Sequence, residues 1–418
     1  MSLQENAKKI MAAALDAAMP DTAVRAALEK AEFAPGRVVL IAAGKAGWQM
    51  AKAAWDQLDK RIDSGVVITK YDHSKGPIGN LDIYEAGHPV PDANSFRATQ
   101  AAIDAVTGLG ETDTVLFLLS GGGSALFEKP RIPEEDLDRL TRQLLACGAD
   151  IVEINTVRKR FSTVKGGRFA LLCQPAQVFT IVLSDVLGDR LDMIASGPAY
   201  PDASTTEDAL RIVDKYNLTM TEQMRALLLE ETPKALPNVQ THITGSVRQL
   251  CAAAERLCRE LGYETITLTD RLCCTARDAG VFLGNIARFH AASGKPMAFL
   301  AGGETVVHLT GHGLGGRNQE LALAACEGIS GLDACVFSLG SDGTDGPTDA
   351  AGGYVDGTTY QRLKDKGIQV SDVLQDNDAY HALQAVNGLI ITGATGTNVN
   401  DISVLLIGSR LSEKARGC

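Results

Sequence analysis

Short aliphatic and β-branched runs alternate along the chain with longer stretches of helical spacing. Val38–Ala42, Val66–Thr69, Ile83–Glu85, Val115–Leu119 and Val178–Leu183 are continuous apolar runs, the pattern of buried strands. Ala46–Leu58, Ser95–Leu109 and Glu134–Cys147 fall between them and repeat apolar positions at helical intervals. This alternation predicts βαβ units, and so a doubly wound, mostly parallel α/β sheet with helices on both faces over about residues 1–235. Thr232–Pro233 through Pro237–Asn238 follows the helical stretch Glu222–Glu230 and reads as a linker with two prolines.

Beyond the linker the pattern changes. Gln240–Ile243, Glu264–Leu268, Ala334–Leu339, Leu389–Thr392 and Ile402–Ile407 read as strands, and Val247–Leu261 and Ala276–Ala292 as helices. Met297–Ala301 and Val306–Leu309 read as a hairpin-like pair leading into glycine-dense loops. Residues 236–418 are expected to form a second α/β domain with a mixed sheet. No internal repeat or low-complexity tract is present.

Composition narrows the function. The 418 residues hold 40 Lys and Arg against 51 Asp and Glu, a net charge of −11 without a basic tract. That balance argues against sequence-independent nucleic-acid binding and against an anionic membrane surface. An apolar share of 45% and 42 glycines without a fixed period exclude disordered and collagen-like chains. Nine scattered cysteines, with no CxxC pair, fit a reducing compartment. The first nine residues are polar and lack the apolar core of a secretory signal, and Val115–Leu119 is far shorter than the ~20 residues of a membrane helix. A soluble cytoplasmic protein is expected, and nothing in the sequence addresses its oligomeric state.

Candidate chemistry concentrates in loops after strands. Ala43–Gly44–Lys45–Ala46–Gly47 joins the first strand to a helix, where ligands collect in open α/β sheets. It reads either as a cationic anion-holding turn or as a plain βα turn with an exposed lysine. Ser120, Gly121, Gly122, Gly123 and Ser124 follow the most hydrophobic strand. Three residues without Cβ let backbone amides approach an anion. Five cations occur in the eleven residues Arg158–Arg168, and the turn Lys165–Gly166–Gly167–Arg168 stands apart from an ordinary solvated charge cluster. Asp185 and Asp189 follow a further strand, placed to hold Mg²⁺, to accept a proton or to cap a helix.

In the second half, Gly302–Gly303–Glu304, Gly315–Gly316–Arg317–Asn318, Ser341–Asp349 (with Asp342 and Asp345) and Gly396–Asp401 (with Asn398) form four polar loops at element ends. Together they suit a metal–phosphate site. Gly311, Gly313 and Gly316 satisfy GxGxxG spacing. Asp333, the acid near the expected distance, precedes its strand, so this match reads as accidental. The seven histidines show no zinc spacing, and His88, in Gly87–Asp92, reads as structural. No GxSxG is present.

These segments resemble the glycerate 2-kinase family with a C-terminal MOFRL region. The resemblance rests on Ala42–Gly47, Ala86–Asp92, Ser120–Leu126, Asn155–Arg168, Ser184–Pro198, Gly302–Thr305, Gly315–Glu320, Asp342–Gly352 and Thr395–Asp401, in family order over nearly the whole chain. Arg160 stands where a histidine is usual, and Val306 where a threonine is usual. The resemblance implies a Rossmann-like first domain, a MOFRL region over about residues 295–405 and an active site in a cleft between two α/β domains. It also implies ATP- and Mg²⁺-dependent phosphorylation of D-glycerate at its 2-hydroxyl, with Lys45 and Arg317 as catalytic cations.

Phosphoryl transfer builds charge on phosphoryl oxygens and requires cations more than covalent chemistry, so the other expected roles follow. Asp185 or Asp189 would hold Mg²⁺ or accept the hydroxyl proton. Ser120–Ser124, Lys165, Arg168, Glu304, Asn318 and Asn398 would contact substrate or phosphate, and Asp342 and Asp345 the metal. Two other readings remain open here: an NAD(P)H-dependent hydroxypyruvate reductase and a non-catalytic sugar-acid-binding protein.

Overall fold

The computed structural model describes residues 2–29, 31–184 and 191–409. It divides into two compact units, Pro20–Thr244 and a second made of Met1–Met19 with Gly245–Cys418. The boundary therefore falls nine residues beyond the expected 235/236 division, and the first 19 residues belong with the C-terminal unit. Among the described residues, no helix is long and apolar enough to cross a membrane.

The first unit carries a six-stranded sheet of β1 (Val38–Ala43), β2 (Ser64–Lys70), β3 (Asp82–Ala86), β4 (Thr114–Leu119), β5 (Gln177–Leu183) and β6 (Val239–Gly245). The strand order is β3-β2-β1-β4-β5-β6, and β1 to β5 pair in parallel. All six residues of β1 and of β4 are buried, as their unbroken apolar runs require. The core joins both strands to Phe127, Val164 and Phe169. A separate apolar cluster, with Leu137, Leu140, Ile212 and Met224, lies under the helices Glu134–Ala146, Ile151–Arg158, Thr206–Lys215 and Glu222–Leu228. Gln240–Ile243, expected in the second domain, instead lies in β6 at the edge of this sheet. Strand order reverses between β1 and β4, and such switch points open a crevice at the carboxyl ends of the strands.

The second sheet holds β7 (Glu264–Leu272), β8 (Met297–Gly303), β9 (Ala334–Gly340), β10 (Gly352–Asp356), β11 (Leu389–Ile390) and β12 (Asp401–Ile407), in the order β11-β10-β9-β12-β8-β7. β12 runs antiparallel to both β8 and β9, whereas β7 and β8 are parallel, so the sheet is mixed as expected. The expected hairpin at Val306–Leu309 is absent. Val306 makes one bridge to Thr275, and Leu309 is exposed. β12, about a hundred residues further on, takes the place beside β8. The helix Leu3–Ala18 buries Ala7, Ile10, Ala14 and Ala18 and packs on Val247–Glu260. Asn6 Nδ2 donates to Tyr263 Oη at 2.8 Å, and Thr397 Oγ1 donates to the Ala18 carbonyl at 2.7 Å.

Candidate active site

In the first unit the turns after β1 and β4 interlock. Lys45 N–H donates to the Gly121 carbonyl at 2.8 Å, and Ala46 N–H donates to Ser120 Oγ at 3.1 Å. Gly44 has φ +129°, and a Cβ there would lie 2.2 Å from Ser120 Oγ, so only glycine fits between the turns. Gly122 (φ +86°) precedes the short helix Gly123–Leu126, and a methyl at Gly122 would meet Lys45 Cγ and His88 Cδ2, each at 3.1 Å. The glycine loop, Lys45 and His88 thus share one spot at the switch point.

The backbone carbonyl of Lys45 is held by Thr69 Oγ1 and His73 Nδ1. Its ammonium has no ion-pair partner among the described residues. Burial lowers the pKa of His88, helped by the charges of Lys45 and Lys70, so its imidazole is neutral at pH 7. His88 therefore belongs to the Lys45 environment, a placement the sequence reading did not assign. Its loop of Gly, Pro and Asp residues was the available signal.

One expected ligand contact in this unit, Lys165, is taken up by the fold instead. Lys165 is fully buried. Its Nζ lies 2.8 Å from Glu128 Oε2 and donates to the Ser124 carbonyl at 2.6 Å, while Ser162 Oγ donates to Glu128 Oε1 at 2.6 Å. Burial pushes its ammonium pKa down against the pull of Glu128. Lys165 thus braces the glycine loop from below and presents no charge to solvent. Arg168 donates to the Lys159 carbonyl at 2.8 Å and lines a cavity of about 570 Å³ with Arg131, Thr163 and Glu230, to which no glycine-loop residue contributes. Burial and the neighbouring Arg131 and Arg160 lower its pKa to about 10. Asp185 and Asp189 lie outside the described residues.

In the second unit the site forms where β12 begins. Asp401, its first residue, pairs in register with Gly303 at the end of β8 and with Gly340 at the end of β9. Asp401 meets the Arg317 side chain, which comes from the start of the helix Arg317–Ala325. Arg317 Nε donates to Asp401 Oδ2 at 2.6 Å and Nη2 to Asp401 Oδ1 at 3.0 Å; Nη1 donates to Glu304 Oε1 at 3.0 Å. Asn400 Nδ2 donates to Glu304 Oε2 at 3.3 Å. Burial raises the Asp401 carboxyl to about 6 even against Arg317, and Arg317 itself is raised further, so it stays a cation.

Asp345 accepts from Asn318 N–H (3.1 Å), Asn318 Nδ2 (3.3 Å) and Gln319 N–H (2.8 Å), which makes it the N-terminal clamp of the Arg317 helix. Asp345 is buried, and both its oxygens already accept protein hydrogen bonds. Asn318 is buried, and its Oδ1 accepts from Ser338 Oγ at 2.5 Å. Asp342 is half-buried; its Oδ1 accepts from Thr344 N–H at 3.0 Å, and Oδ2 has no protein donor among the described residues. Asn398 is exposed, with Oδ1 accepting from Asn400 N–H at 3.4 Å. No cluster of three His, Cys, Asp or Glu side chains suited to a metal occurs among the described residues. Gly316 precedes the helix and Gly311 and Gly313 pack against Asp376 and Asp378, but irregular chain leads into them. The GxGxxG spacing therefore lacks the strand a dinucleotide fold requires.

Residues 6–229 match a family model described as a domain of unknown function, DUF4147, and residues 297–401 match the MOFRL family. A D-glycerate 2-kinase of Thermotoga maritima is 52% identical over 413 residues, covering 97% of this chain and 99% of that protein. A glycerate 2-kinase of Pyrococcus horikoshii is 42% identical over 437 residues, covering 98% of each. The crystal structure of a glycerate kinase from Thermotoga maritima has a TM-score of 0.93 at 51% identity and covers 97% of this chain and 99% of that one. Fold and matches together define a two-unit α/β protein that joins a DUF4147 region to a MOFRL region. The chain belongs to the glycerate 2-kinase family.

Proposed function

We propose that the chain transfers the γ-phosphoryl group of ATP to the 2-hydroxyl of D-glycerate, giving 2-phosphoglycerate and ADP. The observation that carries this reading is the ammonium of Lys45, which has no ion-pair partner among the described residues, beside a glycine loop at the sheet's switch point. Phosphoryl transfer is a matter of positioning and of neutralising oxygens, and a cation next to open backbone amides supplies both. Lys45 supports charge on the transferring group, while Ser120–Ser124 hold an anionic group, phosphate or the glycerate carboxylate. Arg317 is the second cation, in the other unit. Asp185 or Asp189 accepts the hydroxyl proton, or neutral His88 does so from its place near Lys45.

Asp342 is the carboxylate that fits Mg²⁺, because one of its oxygens lacks a protein donor among the described residues and Mg²⁺ commonly takes one or two carboxylates beside phosphate oxygens. When bound, the ion would neutralise charge on the phosphate chain. Asn398, exposed on the neighbouring loop, is placed to meet substrate. The reaction involves only dissolved small molecules in the cytoplasm and calls for neither nucleic acid nor membrane.

ADP release is measured with D-glycerate, ATP and Mg²⁺, and NADH loss with hydroxypyruvate in parallel. ADP formation that depends on glycerate is expected. NADH oxidation without it would replace the kinase with a reductase, and thermal stabilisation by glycerate without turnover would leave only a binder.

A further inference from the structure

Arg317 is held by two carboxylates whose surroundings differ. Asp401 grips Nε and Nη2 together, its side chain is 6% exposed, and it is fixed by strand register between Gly303 and Gly340. Glu304 takes only Nη1, from a loop just past β8, and its side chain is 47% exposed. The Arg317 side chain is 34% exposed. Its buried edge is thus permanently occupied, and its outer nitrogen is occupied by a group that solvent can reach.

A carboxylate oxygen on an arginine nitrogen sits where a phosphoryl oxygen would sit, with the same charge-assisted geometry. We infer that the two carboxylates divide the control of Arg317: Asp401 positions the guanidinium, and Glu304 is a placeholder that yields Nη1 to an incoming substrate anion. No bond is made or broken in this exchange. Glu304 moves to water, and the Arg317 charge passes from one oxyanion to another. Glu304 thereby becomes a competitor of substrate rather than a contact to it, a reversal of the role the sequence suggested. The inference rests on the kinase reading and deepens it.

The two carboxylates then give opposite kinetic signatures. Asp401→Asn removes charge from the positioning arm and should lower kcat by about 10²–10³, the scale of losing a fixed transition-state charge, with KM values changed much less. Glu304→Gln removes the competitor and should lower KM for ATP or for glycerate several-fold and raise neither. In an Arg317→Ala background both substitutions should have almost no further effect, since each acts through that guanidinium. Asp401→Glu, which keeps the charge, should recover more turnover than Asn, and a melting curve on each variant reports folding.

A rise in KM with Glu304→Gln, or effects that persist in the Arg317→Ala background, would overturn the inference. The wild-type chain assayed beside them separates the two failures. Absence of glycerate-dependent ADP release removes the kinase reading, whereas normal release with the wrong variant pattern removes only the placeholder.

Discussion

Lys45 and Lys165 lie at the two sides of one glycine loop and have opposite fates. Lys45 is half-exposed and has no ion-pair partner among the described residues, so Lys45→Ala should cost turnover, about 10²–10⁴ in kcat, with little change in melting temperature. Lys165 is consumed by Glu128 and the Ser124 carbonyl in full burial. Replacing it with Met leaves Glu128 without its cation and should remove about 3–5 kcal/mol of stability, read as a lower urea midpoint. Gly44→Ala should damage both properties. A Cβ cannot fit against Ser120 at that φ, and the loss should be at least about 1–3 kcal/mol, together with activity. Strand ends and missing side chains, which are local facts, singled out the turn of Lys45 and the glycine loop, and the family resemblance added the role of Lys45. Sequence could not separate Lys165 from Lys45, because burial against Glu128 is decided by a segment nearly forty residues away.

At the level of the element, the helix Arg317–Ala325 depends on Asp345 to satisfy its first amides. Asp345→Ala should cost about 0.5–2 kcal/mol as a lost cap and should weaken catalysis by loosening the base of Arg317. The strand start at Asp401 gives a pH signature. Its carboxyl, raised by burial and by Asp345 and lowered by Arg317, titrates at about 6 in the fold, against an unperturbed value of 3.8. Between those values the native state holds a proton that the unfolded chain has released, so this group's contribution to stability falls as pH rises from about 4 to about 6. Over that pH range the urea midpoint of the wild type should fall relative to that of Asp401→Asn, whose amide cannot titrate.

Apolar runs made β1, β4, β5, β9 and β12 readable, because a strand buried on both faces needs nothing but aliphatic residues. β10, Gly-Gly-Tyr-Val-Asp, escaped notice because two glycines hide a strand whose place is set by β9. The false hairpin at Val306–Leu309 had the right alternation but no partner to cover it. Asp401 escaped as a site residue for a related reason: its neighbours Gly303 and Gly340 come together only through strand register.

At the scale of the whole molecule, two α/β units divide the chain unevenly along the sequence. Continuity suggested a division at 235/236, yet contacts carry Met1–Met19 to the C-terminal unit. Removing residues 2–18 should therefore destabilise the unit beginning at Gly245, by uncovering Val247–Glu260 and breaking the Asn6–Tyr263 bond, and should spare the unit Pro20–Thr244. Domain-resolved hydrogen exchange on the shortened chain tests this, with faster exchange in Val247–Glu260 and unchanged rates in β1 and β4 as the expected result.

That arrangement has a consequence for biosynthesis. The docking surface of the helix Leu3–Ala18, at residues 247–263, is translated more than two hundred residues after the helix itself. At roughly 5–20 residues per second, the interval lasts on the order of ten to fifty seconds. Throughout it, the stripe of Ala7, Ile10, Ala14 and Ala18 must wait without its native mate while the 20–244 unit is already able to form. The nascent chain thus carries an uncovered apolar stripe while the 20–244 unit folds, and a chaperone that shields that stripe would shorten the route to the folded protein.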